Sequence, residues 1–370
     1  MELARLPLRR IGLRLAEGID STLLVLMLAL SMLGLLALFS ASYEQPARVV
    51  SQVMNLAVAI GAMWLVAQVA PQTMMRFAVP AYVIGLAFLI AVALFGDVVN
   101  GARRWLHVGV TRFQPSEMMK LALPLMLAWY FHKHETALKL RNFAVGALLL
   151  IVPLALIARQ PDLGTAALVG AAGFYVIFFA GLSWRVLGTL TGIGLAALPI
   201  VWGFLHDYQR KRVLTLLDPT TDPLGAGYHI IQSTIAVGSG GLWGKGWLNG
   251  TQAHLEFIPE RHTDFIFAVF SEEFGLIGNV VLLVLYALLV GRGLVIAANA
   301  ATVFARLLAG TISLMFFTYA FVNMGMVSGI LPVVGVPLPF LSYGGTALLT
   351  LFIGAGILMS IHHYRKLVQT

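Results

Sequence analysis

Residues Phe265–Val290, FIFAVFSEEFGLIGNVVLLVLYALLV, decide the fold class. The stretch is apolar except for Glu272 and Glu273 near its middle, and it exceeds the roughly 20 apolar residues that a helix needs to cross a bilayer. It therefore predicts a transmembrane helix. Because an ionisable group at membrane depth is costly, the two carboxylates inside it need an explanation.

The composition of the whole chain agrees with this prediction. The 370 residues are 59% hydrophobic and only 11% charged, and the mean hydropathy is +0.88. A soluble domain carries roughly 25% charged residues and disorder requires low hydrophobicity, so both classes are excluded. The chain has no cysteine, which excludes disulfides, iron–sulfur clusters, thiolate zinc sites and cysteine nucleophiles.

Nine further apolar stretches predict an all-α polytopic membrane protein with ten transmembrane helices in one domain, residues 1–370. The predicted spans are Thr22–Phe39, Val50–Val69, Ala78–Leu94, Ser116–Phe131, Phe143–Ala158, Gly164–Leu182, Val186–Phe204, Phe265–Val290, Leu307–Gly329 and Thr346–Ile361. Arginines precede the first apolar run, which is about 18 residues long, so we expect a retained helix and not a cleaved signal.

Basic residues orient the predicted bundle. Ten spans place both termini on one side, whose segments include the basic N-terminus 1–21 and hold 13 of the 24 Lys and Arg residues. The short segments on the other side hold six. This asymmetry predicts cytoplasmic termini and explains the net charge of +8 without nucleic acid. Residues 205–264 then form a large extracytoplasmic loop between the seventh and eighth spans.

Two features of the outer side stand out. Arg103 and Arg104, together with Arg112, lie on the wrong side for the charge rule, which indicates a binding role. In the long loop, the segment Tyr228–Ala236 has a helical apolar rhythm between turn-rich stretches. We expect it to form a re-entrant or interfacial helix against the bundle.

Glu117 and Lys120 open the fourth predicted span and lie on one helical face, because they are three residues apart. They can form a structural ion pair, or they can serve a substrate or a cation. Asp162 begins the sixth span, where a carboxylate can cap exposed backbone N–H groups.

Asp264 lies where the long polar loop meets the eighth span, beside a face made by Ala268 and Ser271. A carboxylate at this boundary is placed to act as a general base, and helix capping is the alternative. His262 is a weaker candidate. Glu272 and Glu273 point about 100° apart on the helix, so at least one should bond a buried neighbour, and we favour a structural role for Glu273.

The last outer segment, Asn323–Gly345, contains three prolines and repeated glycines in an apolar context. It cannot continue a helix. Non-helical backbone near membrane depth is tolerated where protein buries it or where it lines a cavity. This loop should therefore frame a site.

Together these motifs resemble the SEDS family (shape, elongation, division and sporulation), and within it the elongation members. The resemblance covers the whole chain and rests on Gln114–Glu117, Arg159–Gly164, Leu217–Ser233, Pro259–Phe265 and Asn323–Gly345. It implies ten transmembrane helices and a peptidoglycan glycosyltransferase of the bacterial inner membrane, active at the periplasmic face.

The resemblance also implies a substrate and partners. The substrate would be lipid II and the glycan carried on undecaprenyl diphosphate. The partners would be a class B penicillin-binding protein, acting as transpeptidase, and other elongation-complex proteins. The catalytic acid of the family falls on Asp264.

The implied reaction inverts an α-linked diphosphate donor into a β-1,4 link. Such a reaction needs one base on the acceptor hydroxyl and no general acid for the diphosphate. We assign Asp264 as that base, while cationic side chains neutralise the leaving diphosphate. The residues assigned to substrate binding are Arg103, Arg104, Lys120, Arg210, Arg212 and Ser342. A divalent cation such as Mg²⁺ or Mn²⁺ is an open alternative, although no ligand spacing identifies a site.

Two other classes of function compete with this one. A flippase or transporter for a lipid-linked precursor would also use many spans and intramembrane charges. A non-enzymatic scaffold for wall assembly would tolerate the loss of Asp264. Polymerisation of lipid II by purified protein in detergent separates the enzyme from the flippase, and the effect of Asp264 substitutions on function separates the enzyme from the scaffold.

Overall fold

The computed structural model describes residues 18–42, 45–99, 102–108, 111–160, 162–204, 207–222, 225–255, 257–258 and 260–365. Most of the basic N-terminus 1–21 and the side chains of Arg103 and Arg212 lie outside what it describes. The predicted roles of these groups therefore stay predictions.

Apolar sequence has folded into helices throughout the described chain. The helices are α1 (Ser21–Ala41), α2 (Pro46–Ala67), α3 (Pro71–Phe95), α4 (Pro115–Lys133), α5 (Leu140–Ala158), α6 (Leu163–Phe179), α7 (Trp184–Phe204), α8 (Asp207–Leu217), α9 (Ala226–Ser239), α10 (Thr251–His254), α11 (Ile266–Ala298), α12 (Val303–Val327) and α13 (Thr346–Tyr364). Short 3-10 turns occupy Glu135–Ala137 and Pro219–Thr221.

Each of the ten predicted spans overlaps one of these helices. Among the residues that the structure describes, seven helices, α1, α2, α3, α5, α11, α12 and α13, are long and apolar enough to cross a membrane. Helix α4 carries several charged residues, while the apolar parts of α6 and α7 are shorter. The mainly helical class is thus confirmed, whereas the number of ten spans and their orientation remain predictions.

Several helices begin before the predicted span, and proline explains where. Helix α3 begins at Pro71 and not at Ala78, and α2 begins at Pro46 and not at Val50. Proline suits the first helical turn because its missing N–H would have no intrahelical partner there. The apolar runs therefore predicted where these two helices lie, whereas proline set the first residue of each.

Between α3 and α4 the chain forms a small antiparallel sheet that the sequence did not predict. Its strands are β1 (Asp97–Val99), β2 (Ala102–Val108) and β3 (Thr111–Phe113), paired in sequence order. Asp97 pairs with Trp105, and Leu106 with Phe113. This hairpin ribbon carries Arg103 and Arg104.

The long loop before α11 holds the expected helix. Helix α9 covers the predicted segment Tyr228–Ala236 and lies against α11 and α12. The Ser233 hydroxyl donates to the carbonyl oxygen of Val327 at 2.9 Å, and the His229 ring stacks on Phe265 with centroids 5.6 Å apart. The helix therefore covers the start of α11.

After α9, a glycine-rich segment enters a break in α11. Gly275 has non-helical angles (φ 62°, ψ −161°) in the middle of the helix. Backbone hydrogen bonds of 2.9–3.2 Å join the segment to the break: Lys245 N to Glu272 O, Gly246 N to Glu273 O, Leu276 N to Gly241 O, and Ile277 N to Leu242 O. The segment thus satisfies backbone groups that the break exposes, as an apolar environment requires.

Candidate active site

Asp264 lies in the turn that leads into α11 and is mostly buried. Burial is the main cause that raises its pKa to about 6, and the negative charge of Glu260 adds to the rise. Helix capping is not its role in the described chain, because Phe265 is the N-cap of α11 and no side chain caps that helix. The carboxylate is therefore left available for chemistry.

The Pro-rich loop between α12 and α13 lies beside this carboxylate, and the part of the loop at Gly335 is called the Gly335 wall. A Cβ atom on Gly335 would lie 3.3 Å from Asp264 Oδ2, and the backbone there has φ +70°. The Tyr286 hydroxyl holds the same loop by donating to Pro339 O at 2.5 Å. The loop thus lies beside Asp264, and its predicted role in framing a site stays a prediction.

Ser342 stabilises that loop from within. Its hydroxyl accepts a hydrogen bond from Leu338 N at 2.7 Å, and its carbonyl accepts one from Gln52 Nε2 at 3.1 Å. The side chain is 5% exposed. The structure thus shows a turn-forming role, and the predicted substrate contact stays a prediction.

Asp162 caps α6, as expected, and does more. One carboxylate oxygen accepts from Thr165 N at 3.1 Å. The other accepts from Gln114 Nε2 at 3.1 Å and lies 4.0 Å from Arg104 Nε. Arg104 is thereby held beside the first turn of α6.

Glu117 and Lys120 form the expected ion pair, with Nζ 2.6 Å from Oε1. Lys120 is only 2% exposed, and its Nζ lies 5.1 Å from the centroid of the Tyr319 ring. The second oxygen of Glu117 has no hydrogen-bond partner among the described residues. The ion pair therefore lies deep in the bundle with unused capacity to accept a hydrogen bond.

Two connections link Asp162 and the Glu117–Lys120 ion pair to the surroundings of Asp264. A Cβ atom on Gly164, two residues after Asp162, would lie 2.3 Å from the carbonyl oxygen of Val334, the residue before Gly335. Tyr319 and Asn323 are four residues apart, hence one turn apart on one face of α12. Asn323 in turn donates to the Asp264 carbonyl at 2.8 Å.

The arginines of the long loop are placed less directly. The Arg210 guanidinium donates to Trp202 O at 3.1 Å and to Gly203 O at 2.7 Å, and so caps the last turn of α7. Arg212 lies in α8 and Arg103 in β2. The predicted binding roles of these three residues remain untested.

Glu272 and Glu273 are both occupied structurally. Glu272 is fully buried, pairs with Lys245 Nζ at 2.6 Å, and accepts from Thr251 Oγ1 and Gln252 N at the start of α10. Glu273 accepts a hydrogen bond from the Ser40 hydroxyl of α1. Both carboxylates therefore stabilise the glycine-rich segment and its neighbours.

A resident metal has little support in this arrangement. Within the part of the chain that the structure describes, no three His, Asp or Glu side chains are grouped to hold an ion. Asp264 has Glu260 as its acidic neighbour, which gives two carboxylates. The divalent cation stays an untested alternative.

A family model with the description "Cell cycle protein", covering FtsW, RodA and SpoVE, matches residues 21–367. The chain belongs to the SEDS family. This SEDS chain is 52% identical over 352 residues to the peptidoglycan glycosyltransferase MrdB of Escherichia coli (strain K12), and 95% of each chain is covered. It is 32% identical to the peptidoglycan glycosyltransferase RodA of Treponema pallidum, with 95% of this chain and 99% of that one covered.

Solved structures agree with this assignment. A chain from a peptidoglycan synthase complex that coordinates polymerization and crosslinking superposes with a TM-score of 0.82 at 36% identity, covering 94% of this chain and 98% of that one. The crystal structure of the rod shape determining protein RodA from Thermus thermophilus gives 0.71 at 31% identity, covering 94% and 97%. The resemblance to elongation members is thus confirmed, and the SEDS chain is an integral membrane protein.

Sequence reasoning missed two parts of the SEDS site. The sequence predicts Asn323 at the start of a loop, whereas in the structure it lies in α12 and is fully buried. An amide in an apolar helix would be unfavourable without a partner, and that signal could have drawn attention to it. Gly335 had no such signal, because its contact with Asp264 is made across the fold.

Proposed function

We propose that this protein polymerises lipid II at the periplasmic face of the bacterial inner membrane, with Asp264 as the general base. The enzyme class is plain from its relatives: the chain is a peptidoglycan glycosyltransferase. The observation that supports the mechanism is the mostly buried carboxylate of Asp264 facing the Gly335 wall.

The proposed step moves one proton and exchanges one bond. Asp264 takes the proton of the acceptor 4-hydroxyl. At the same time the oxygen of that hydroxyl forms a bond to the anomeric carbon of the donor. The bond from that carbon to the diphosphate breaks on the opposite face, so the configuration inverts. The lipid diphosphate leaves with the electron pair, and nearby cations such as Lys120 and Arg104 stabilise its charge.

The placement of these groups supports a transmembrane arrangement with ten spans. The fourth, sixth and eighth predicted spans contribute their first turns to the site, through Glu117, Asp162 and the Asp264 turn. The end of the first span lies beside the Asp264 turn, since Ser42 Oγ is 3.2 Å from Nδ1 of His262, and the ninth span contributes its last turn through Asn323. Helices that alternate in direction place these ends on one side, and cytoplasmic termini make that side periplasmic.

A transpeptidase partner, a class B penicillin-binding protein, is part of the proposal. It is supported by the similarity to a chain of a synthase complex in which polymerization and crosslinking are coordinated. Glycan strands made at the periplasmic face would then reach the crosslinking partner directly.

The test is polymerisation of lipid II by purified protein, alone and with its transpeptidase, for Asp264→Asn and Asp264→Ala. The matched control is Asp218→Asn, in the same long loop, whose carboxylate among the described residues accepts hydrogen bonds from N and Oγ1 of the nearby Thr220. We expect a loss of at least about 100-fold for both Asp264 variants and none for the control.

Two results would overturn the proposal. Folded Asp264 variants that keep full polymerase activity would remove the assigned base. A wild-type protein that moves lipid II across vesicle membranes but makes no glycan, in detergent or with its partner, would favour the flippase alternative.

A further inference from the structure

Asn323 joins the two sides of the site through one amide group. Its Nδ2 donates to the carbonyl oxygen of Asp264 at 2.8 Å and to that of Val336 at 2.7 Å. The side chain is fully buried near the end of α12. One donor group therefore fixes the backbone of Asp264 relative to Val336, the residue after Gly335.

The arrangement suits positioning better than general stability. The Asn323 Oδ1 atom has no hydrogen-bond partner among the described residues, and a buried unsatisfied polar atom costs about 1–3 kcal/mol. An apolar residue at this place would leave both carbonyl oxygens without this donor. The amide therefore offsets its own unpaired Oδ1 by holding the two backbone segments together.

The hydrogen bonds of Asn323 also set the distance between Gly335 and the Asp264 carboxylate. A Cβ atom on Gly335 would lie 3.3 Å from Asp264 Oδ2, so the two residues are in close contact. If the Val336 carbonyl were released, this wall could withdraw, water could enter, and the carboxylate could rotate. Because the amide bonds only backbone oxygens, it leaves the Asp264 carboxylate open to an acceptor.

We propose that Asn323 is a positioning residue for the base, holding Asp264 at a fixed distance from the Gly335 wall. This inference rests on the proposed function of Asp264. Other contacts hold the rest of the loop: Tyr286 holds Pro339, and Gln52 holds Ser342 and Gly344. Loss of the Asn323 amide should therefore loosen the wall without unfolding the loop.

The experiment compares Asn323→Leu with Asn323→Gln, which keeps the donor, in lipid II polymerisation assays. We expect the Leu variant to lose about 10- to 100-fold in kcat, as misplacement of about 1 Å can cause, with KM changed less than about threefold. The acid limb of its pH–rate profile should move to lower pH, because water reaches Asp264. The Gln variant should retain more kcat and stay nearer the wild-type acid limb.

The matched control is Ser313→Ala, another fully buried polar residue of α12, whose hydroxyl bonds only Ala309 O of its own helix. It should keep the wild-type kcat and pH profile. If the Leu variant does not fold, Asn323→Ser, which cannot span both carbonyls, replaces it with the same expectation.

Three outcomes decide the matter. A folded Leu variant with wild-type kcat and pH profile would overturn the inference. Equal loss in the Leu and Gln variants, with unmoved acid limbs, would also overturn it, since that pattern indicates lost stability alone. Asp264→Asn, assayed alongside, separates the proposed function of Asp264 from the positioning role of Asn323. Full activity of Asp264→Asn rejects the proposed function. An inactive Asp264→Asn beside a fully active Asn323→Leu rejects only the positioning role.

Discussion

At the scale of single residues, the partial burial of Asp264 sets a compromise between charge and basicity. A carboxylate in water has a pKa near 4 and is a weak base at neutral pH. Burial, assisted by Glu260, brings the pKa of Asp264 to about 6. The group therefore remains largely ionised at pH 7 but accepts a proton more readily than an exposed carboxylate does.

This value predicts an acid limb in the polymerase reaction. In the proposed mechanism activity needs the ionised base, so kcat/KM should fall as the pH drops through about 6 and should reach roughly one-tenth near pH 5. Glu260→Gln removes the neighbouring charge and should shift the limb to lower pH. The rate of lipid II polymerisation between pH 4.5 and 8 measures both. A rate unchanged down to pH 4.5 would contradict the assignment.

Gly335 offers a second test at this scale. Alanine there adopts φ +70°, which costs roughly 1–2 kcal/mol, and its Cβ would lie 3.3 Å from Asp264 Oδ2. We expect Gly335→Ala to lose at least about 10-fold in activity with a small drop in thermal stability. Gly344→Ala is the control in the same loop, because no atom lies within 4 Å of its added Cβ. Equal activities of the two variants would show that the wall is unimportant.

At the scale of elements, helix α11 depends on a segment that precedes it in the chain. Its break at Gly275 is closed by backbone hydrogen bonds to residues 241–246. The side chains agree with this pairing, since Glu272 bonds Lys245 and the start of α10. Helix α11 and the glycine-rich segment therefore form one unit, and that unit carries Asp264 at its end.

A glycine substitution in this unit should be costly. Gly275 has φ 62°, and a Cβ on it would lie 2.3 Å from Gly244 N, so Gly275→Ala forces the segment out of the break. We expect a loss of about 2 kcal/mol or more in stability, measured as a lower melting temperature in detergent. Gly291→Ala, in the same helix with open space around its Cβ, should be neutral or slightly stabilising. Similar melting temperatures would refute the pairing.

Local signals in the sequence reached as far as the elements but not their contacts. The ten apolar runs, the helix at Tyr228–Ala236 and the cap at Asp162 follow from composition, periodicity and capping chemistry, and each is found in the structure. The break at Gly275 was not predictable, because glycine in a helix has many causes and its partner Gly244 is distant in sequence. The Asn323 bridge was missed for the same reason. The β1–β3 ribbon is local in sequence, but two of its strands are only three residues long and give little periodic signal.

At the scale of the whole molecule, a charged cluster ties the bundle together at the end opposite the site. Asp20 caps α1 and receives hydrogen bonds from Arg292 of α11, whose Nε is 3.2 Å away. His362 Nε2 of α13 lies 3.4 Å from the same carboxylate. Three helices that are distant in sequence thus meet at one acid, and α11 connects this cluster to the Asp264 end.

The charge on Asp20 should matter for stability. Burial alone would raise the pKa of Asp20, but hydrogen bonds from Arg292 and Leu23 N and the charges of Arg292 and His362 hold it below the usual range of an aspartate. The folded state therefore gains stability at pH values above the pKa of the unfolded chain and loses it as the pH falls through the lowered pKa. Asp20→Asn should cost roughly 1–3 kcal/mol at pH 7.

Melting temperatures at pH 7 and pH 3 measure this effect, and the difference between the variant and the wild type should shrink at the lower pH. Glu135→Gln is the control, since Glu135 pairs only with the neighbouring His132 at an exposed site. A variant as stable as the wild type at pH 7 would show that the cluster contributes nothing.

The pairing of α11 with residues 241–246 has a consequence for how the protein is made. A newly synthesised α11 that entered the bilayer alone would carry unsatisfied backbone groups around Gly275, each costing several kcal/mol in hydrocarbon. Residues 241–246 emerge from the ribosome before α11, but in the proposed orientation they first cross the membrane with the rest of the long loop. Lateral release of α11 into lipid should therefore wait until this translocated segment has returned to meet it, which makes biogenesis of the eighth span a cooperative event and not an independent insertion.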